Sequence, residues 1–357
     1  MQKKLPITIN TGFTTECWTF LRLAAILSDS KNIPWFIENF NNYFVDETYD
    51  VLYYEWSSRE FLCIYDEILQ FEDISDKKDI VGAVIDAINQ DGYVVLYCDR
   101  FYIKGSPHYQ KEHYPHDLLI YGYDNDSKVF NFIDINIDGC LWGEHTISYD
   151  IIKHAFESML EIFTIDFDRW TWIYRTKLPA SVFYLNKHFN RKPRLDIFYE
   201  EICNCLSGGE TLERVNNNGK MGYRLKRFGV SSYRSYYEDL INTISNSDKN
   251  YLGKEENKHV LYKMKSLIEN KYNLEFKLKY LNENNLTNFP ENIFLNIKNL
   301  CELLESAFYS STKYSFTLDK ALLSIVRENF IDAEKLEINI LQEIKKCLTV
   351  YMNKRLT

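Results

Sequence analysis

Three side chains in the first half of the chain are of the types that carry out nucleophilic catalysis: a cysteine, a histidine and an aspartate. In chain order they are Cys17, His116 and Asp134. A catalytic cysteine needs a base that removes its proton, and the base needs a group that orients it. We therefore expect Cys17 to be the nucleophile, His116 the general base and Asp134 the orienting acid.

The sequence around Cys17 predicts the start of a helix. Apolar residues recur at helical spacing from Thr14 to Leu27, and Thr14 is a suitable N-cap. A sulfur near the helix start would lie close to free backbone N–H groups and the positive end of the helix dipole, which favours a thiolate. The polar stretch before the helix offers Asn10 and Thr11 as alternative donors to an oxyanion.

His116 stands just before an apolar segment, Leu118–Tyr123, that is typical of a buried strand. Turn-forming residues at 124–127 separate this segment from a second predicted strand, Val129–Ile135, so the two should form a hairpin. Asp134 is an acid inside that second strand, and a buried acid needs a partner. The hairpin would bring Asp134 beside His116.

Other residues compete for two of these roles. His113 is an alternative base in the loop Lys111–Pro115, where it would be exposed or would face the substrate. Asp138 and Asn131 are alternatives to Asp134. Because neighbouring strand positions point to opposite faces, Asn131 and Asp134 cannot both face His116.

The periodicity of the chain changes near residue 180 and predicts an α+β protein of two domains, 1–178 and 179–357. In the first we expect two further helices and four further strands: Asp79–Asn89 and Ser148–Phe156; Val51–Trp56, Tyr93–Tyr97, Ile162–Ile165 and Trp170–Tyr174. In the second we expect only long helices, separated by loops at 207–209 and 216–223: Asp196–Leu206, Tyr233–Ile244, His259–Tyr280, Pro290–Phe308 and Leu318–Met352. The order Cys, His, Asp is that of papain, so the first domain is predicted to have a papain-like cysteine protease fold and the second to be all-α.

The composition narrows the classes of protein further. The 357 residues are 45% apolar, enough for two folded cores. A net charge of −9 without clustered Lys and Arg argues against a nucleic-acid partner. Eight scattered cysteines without zinc-ligand spacing predict no metal site and favour a reduced, cytoplasmic protein. No apolar stretch has the length of a membrane-spanning helix, and the first residues include no apolar segment of signal-peptide length, so we expect neither feature.

The segment Tyr93–Tyr123 resembles the N-terminal domain of the BtrH-like family of butirosin biosynthesis. The likeness rests on Asp99-Arg100-Phe101-Tyr102, on the run from His116 to Tyr123 and on Thr15-Glu16-Cys17, and it extends over roughly residues 10 to 175. Asp134 falls where that family places its acid. Within the family, the chain is similar to the amide-forming transferases of closthioamide-type assembly lines, which join acyl units to a diamine.

This resemblance implies acyl transfer in nonribosomal peptide-type biosynthesis. An acyl group would pass from a thioester on the phosphopantetheine arm of an acyl or peptidyl carrier protein to Cys17, and then to a small amine. No cofactor of the protein's own is implied. The helical domain would act as a lid, bind the carrier protein or form a homodimer.

Aromatic and acidic residues near the predicted base are candidates for substrate binding. The segment Tyr102–Pro115 could form a lid over the site. The candidate substrate-binding residues are Asp99, Phe101, Tyr102, Tyr109, His113 and Tyr114. Two other functions share the same residues: a cysteine peptidase or amidase, in which water replaces the amine, and a non-catalytic binding module of the same fold.

Overall fold

The computed structural model of the chain describes residues 1–46, 51–53, 63–165, 179–217, 220–246, 251–252 and 259–356. The chain divides into two compact units, each built from two separate stretches. The first unit is Met1–Ile33 with Arg59–Arg191, and the second is Pro34–Ser58 with Lys192–Thr357.

The strands and helices are numbered here in chain order. The strands are β1 (Gln2–Lys4), β2 (Tyr43–Asp46), β3 (Val51–Tyr53), β4 (Leu69–Asp73), β5 (Gly92–Asp99), β6 (Pro115–Asp124), β7 (Val129–Ile137), β8 (Cys140–Ser148), β9 (Ala180–Leu185), β10 (Gly209–Asn217) and β11 (Lys220–Phe228). The α-helices are α1 (Cys17–Ile26), α2 (Ile33–Glu38), α3 (Ile80–Asn89), α4 (Tyr149–Ile165), α5 (Leu195–Ser207), α6 (Ile241–Ser245), α7 (His259–Glu283), α8 (Glu291–Thr317) and α9 (Lys320–Leu356).

A seven-stranded antiparallel sheet is the centre of the first unit. Its order is β4-β9-β5-β6-β7-β8, and β1 pairs with the far end of β6. The predicted hairpin is confirmed as the antiparallel pair β6–β7. Every residue of β5 is buried, as the continuous apolar run predicted, because β6 and β9 pair on either side and helices α3 and α4 pack against it.

Helix α3 follows the sequence prediction closely. The Asp79 side chain accepts a hydrogen bond from the Gly82 backbone N–H at 3.0 Å, which caps the helix. The prediction of a strand at Ile162–Ile165 is wrong, since these residues continue helix α4. Apolar side chains at helical spacing carry α4 into the core and extend the helix beyond the predicted end: Ile152, Ala155, Phe156 and Met159.

The second unit contains a four-stranded sheet, so the prediction of an all-α C-terminal domain is wrong. The sheet has the order β10-β11-β2-β3 and is antiparallel. The predicted loop at 216–223 is part of the β10–β11 hairpin, in which Asn217 pairs with Lys220. The long helices α7, α8 and α9 are confirmed, and α8 packs against both of the others. The segment at 233–244 is helical and includes a π-helical stretch, Ser235–Leu240.

The core of the second unit holds a buried ion pair. Lys271 Nζ lies 2.6 Å from Glu337 Oε1, and neither side chain is more than 1% exposed. Lys271 also donates to the Tyr43 hydroxyl at 3.2 Å, and the Tyr233 hydroxyl donates to Glu337. These hydrogen bonds offset the cost of removing both charges from water.

The observed division of the chain differs from the predicted boundary at residues 178 and 179. Strand β9 lies in the first unit because it pairs with both β4 and β5. Strands β2 and β3 lie in the second because β2 pairs with β11. The predicted strand Trp170–Tyr174 and the end of Val51–Trp56 fall outside the described residues. Over the described part of the chain, no helix combines the length and apolar character needed to cross a membrane.

Candidate active site

Cys17 is the first residue of α1, so its sulfur lies at the helix N-terminus. The N-cap residue is Glu16, which makes no capping hydrogen bond through its side chain; the prediction of Thr14 as N-cap is wrong. The chain before the helix is held by Trp142 of β8, whose Nε1 donates to the Thr14 carbonyl at 2.8 Å. The Trp142 ring also stacks on Phe20 of α1, with ring centroids 3.7 Å apart.

His116 is the second residue of β6 and faces Cys17. Its Nε2 lies 3.6 Å from the Cys17 Sγ, although 99 positions separate the two residues in the sequence. His116 pairs with Cys98 of β5, which is fully buried. Only 15% of the His116 side chain is exposed. The predicted pair of nucleophile and base is therefore within hydrogen-bonding reach.

Asp134 of β7 reaches the other side of the His116 ring. Its Oδ1 lies 3.6 Å from His116 Nδ1, and the carboxylate is 1% exposed. The guanidinium of Arg100 lies between them: it bonds to Asp134 Oδ1 and lies 2.9 Å from His116 Nδ1. Asp117 also contributes, with its backbone oxygen at 2.8 Å and its Oδ1 at 3.2 Å from His116 Nδ1.

The competing candidates from the sequence lie elsewhere. Asp138 occupies the turn after β7, where its backbone N–H donates to Gly105. Asn131 pairs with Gly122, and its side chain packs against that glycine. His113 donates to Asp99. Of the acids considered, the structure brings Asp134 to His116.

Burial and the charges around Cys17 favour the protonated form of its sulfur. Burial raises the pKa of Cys17 well above its ordinary value, and the nearby carboxylates of Asp117, Glu16 and Asp134 raise it further. Arg100 acts in the opposite direction. Burial and the three acids oppose the effect of the helix dipole, so the thiolate expected from the dipole stays a prediction.

The two predicted oxyanion donors lie in the loop before α1. The Thr11 hydroxyl is buried and donates to the Phe13 carbonyl at 2.7 Å, so its one proton is already used within the loop. The Asn10 side chain is exposed, and its role stays a prediction. The first turn of α1 is suited to an oxyanion because the N-terminal end of a helix carries a partial positive charge.

Asp99 has a structural role and is not available to bind a ligand. It is fully buried at the end of β5 and accepts four hydrogen bonds. The donors are the backbone N–H groups of Phe101 and Tyr114 at 3.0 Å each, His113 Nδ1 at 2.6 Å and the Ser158 hydroxyl at 2.8 Å. Its predicted contact with substrate is wrong, since both carboxylate oxygens are occupied by the protein.

The aromatic candidates separate into two groups. Tyr114 is half-buried between His108 and His116, with ring centroids 4.1 Å and 6.3 Å away, and so forms a wall beside the base. Phe101 stacks on His113 at 4.6 Å, and Tyr102 packs on Phe101. Tyr109 accepts a hydrogen bond from Gln110. For these last residues and His113, a role in substrate binding stays a prediction.

Sequence reasoning missed three residues of this site: Arg100, Asp117 and Trp142. A buried arginine needs a carboxylate partner, so an arginine directly after the apolar run of β5 was a usable signal for Arg100. Asp117 is adjacent to the predicted base. Trp142 reaches the α1 region only because of the tertiary structure, and no spacing pattern in the sequence predicts this contact.

Across the residues that the structure describes, no group of three or more His, Cys, Asp or Glu side chains is placed to hold a metal ion. The side chains that the structure brings together around Cys17 are an imidazole, two carboxylates and a guanidinium. No protein-family model matches the chain, and the search of curated proteins finds no match.

Proposed function

We propose that the protein is a cysteine-dependent acyltransferase with a papain-like first unit, related to the BtrH-like family. It would move an acyl group from a carrier-protein thioester, through acyl-Cys17, to a small amine. The observation that carries the proposal is the 3.6 Å contact between Cys17 Sγ and His116 Nε2. A thiol at a helix N-terminus, facing an imidazole with buried acids beside it, is an arrangement suited to acyl transfer.

The first half-reaction loads the enzyme. His116 Nε2 takes the Cys17 proton as Sγ attacks the thioester carbonyl, because the raised pKa of Cys17 keeps the resting sulfur protonated. The new Sγ–C bond forms, and backbone N–H groups at the start of α1 stabilise the oxyanion. As the intermediate collapses, the thioester C–S bond breaks and His116 returns the proton to the departing pantetheine thiol.

The second half-reaction releases the product. The nitrogen of an amine, in its neutral form, attacks the acyl-Cys17 carbonyl, and His116 takes the proton that this nitrogen loses. The C–N bond forms, the C–Sγ bond breaks, and the proton passes from His116 to the Cys17 sulfur. Asp134 and Asp117 stabilise the imidazolium that exists between these proton transfers.

Negative charge near Cys17 is consistent with an amine as acceptor. Glu16, Asp117 and Asp134 surround the sulfur, and Arg100 is the cation acting on it. A site with this excess of acids attracts cationic molecules, including amines that carry a second, protonated amino group. Water competes with the amine, and the Tyr114 ring beside His116 reduces its access.

Intact-mass spectrometry tests the proposal. The full chain is incubated with an acyl N-acetylcysteamine thioester, and then with ethylenediamine. We expect one acyl adduct on Cys17, which the diamine discharges faster than buffer does, with formation of the amide. Cys17→Ala should form no adduct. Cys140 is an exposed free cysteine, so Cys140→Ser is the matched control and should be labelled like the wild type.

Each alternative function gives a distinct result. An adduct that water discharges as fast as the diamine does would identify a cysteine amidase or peptidase. The absence of any Cys17 adduct, with carrier-bound as well as small thioesters, would contradict the proposal and favour a binding module.

A further inference from the structure

Among the groups that approach His116 Nδ1, the two nearest require opposite protonation states of this nitrogen. The Arg100 guanidinium, 2.9 Å away, has only N–H donors, so a hydrogen bond to it requires an unprotonated Nδ1. The Asp117 backbone oxygen, 2.8 Å away, only accepts, so a hydrogen bond to it requires Nδ1–H. A neutral imidazole carries one proton. Only one of these two contacts can therefore be a hydrogen bond at a time.

The position of Arg100 is built into the fold. It directly follows β5, where its backbone N–H donates to the Tyr114 carbonyl at 2.9 Å. The four hydrogen bonds that Asp99 accepts fix the backbone next to Arg100. The Arg100 side chain is 4% exposed and bonds to the buried Asp134, which supplies the countercharge that a buried guanidinium needs. Arg100 is thus held against His116 and is not a mobile surface group.

We propose that Arg100 is a positioning residue that holds His116 in the Nε2–H tautomer when no substrate is bound. In this tautomer Nε2 donates toward Cys17 Sγ and cannot accept the thiol proton. Catalysis begins when the ring proton moves to Nδ1 and bonds to the Asp117 backbone oxygen, which leaves a lone pair on Nε2. The catalytic part of this inference rests on the proposed acyltransferase function, whereas the tautomer itself does not.

The groups around the ring explain why the two tautomers can compete. Cys17 contacts the ring from α1, Asp117 from β6 and Asp134 from β7, and Arg100 contacts it from the residue that follows β5. Since Arg100 is the cation that pairs with Asp134, removing it frees the Asp134 carboxylate. That carboxylate, already 3.6 Å from Nδ1, would then favour Nδ1–H.

Nitrogen NMR of the full chain, labelled with ¹⁵N in histidine, tests this inference. The His116 signals are identified by their loss in His116→Gln. At neutral pH we expect Nδ1 to resonate as an unprotonated nitrogen in the wild type. In Arg100→Met the ratio of Nε2–H to Nδ1–H tautomer should fall by roughly tenfold to a hundredfold, the range for losing one hydrogen bond from a charged donor. Arg191→Met removes an arginine that pairs with Glu67 and should leave the His116 signals unchanged.

A protonated Nδ1 in the wild type, or an unchanged ratio in Arg100→Met, would overturn the inference. Arg100→Met leaves Asp134 buried without its partner, which can prevent folding. The double variant Arg100→Met/Asp134→Leu removes both charges and should show the same change, because the Asp117 oxygen remains. The spectra need no acyl donor. A failure of acyl transfer therefore refutes the proposed function alone, and an unchanged tautomer refutes the inference alone.

Discussion

Replacing Asp99 by alanine is expected to destabilise the protein strongly, because the carboxylate holds the chain that carries Arg100 and Tyr114. The free energy of unfolding should fall by about 4 kcal/mol. This estimate counts only the two backbone N–H groups, of Phe101 and Tyr114, that lose their acceptor. Each buried donor left unpaired costs about 1–3 kcal/mol.

Two other donors to Asp99 contribute less to this loss. The His113 side chain is 54% exposed and can turn to water, and the Ser158 hydroxyl is only partly buried. Asp99→Asn keeps one acceptor oxygen for both backbone N–H groups, so its loss should be smaller, about 1 kcal/mol. The matched control is Glu112→Ala, which removes an exposed acid paired with His108 and should cost less than about 0.5 kcal/mol.

Urea unfolding of the three variants measures these differences, and the unfolding slope should not change. The result that would refute the structural role is an Asp99→Ala variant as stable as Glu112→Ala. A raised KM for the amine in a fully stable Asp99→Asn variant would instead restore Asp99 as a substrate-binding residue.

Three further predictions concern other parts of the molecule. Trp142→Phe keeps an aromatic ring but loses the hydrogen bond to the Thr14 carbonyl. The free energy of unfolding should fall by about 1 kcal/mol, and Cys17 acylation should slow. An unchanged free energy of unfolding together with an unchanged acylation rate would contradict the anchoring role. Lys271→Met leaves Glu337 as an unpaired buried charge and should destabilise the protein by about 3–5 kcal/mol in urea unfolding, while the added change Glu337→Leu should recover most of the loss. Because the pKa of Cys17 is raised, the rate of its alkylation by iodoacetamide should still increase as the pH rises through 9.0, the ordinary pKa of a thiol. A rate that reaches its plateau near neutral pH would show a preformed thiolate.

The sequence was most informative where contacts are local. The hairpin β6–β7 and helix α3 follow from turn residues, periodicity and the cap at Asp79. The pairing of Cys17 with His116 was anticipated because the chemistry of a catalytic cysteine requires a base. Asp134 followed from the need of a buried acid for a partner and from the hairpin that brings its strand beside His116.

The remaining features depend on contacts between distant parts of the chain. The second sheet joins Tyr43–Asp46 to Lys226–Phe228, and neither segment indicates its partner. The stretch 216–223, which joins β10 to β11, is rich in Asn and Gly and therefore resembled a loop. The pKa of the Cys17 sulfur also depends on such contacts. The helix dipole is visible in the sequence, whereas the burial and the three carboxylates that raise this pKa appear only in the folded chain.

The rate of Cys17 acylation in His116→Gln tests the central claim most directly. Stopped-time mass spectrometry at neutral pH, with an acyl thioester in excess, measures the rate in the variant and in the wild type. If His116 is the base that deprotonates Cys17, the variant should acylate about 100- to 10,000-fold more slowly. Acylation of Cys17 at the wild-type rate in the variant would contradict the account.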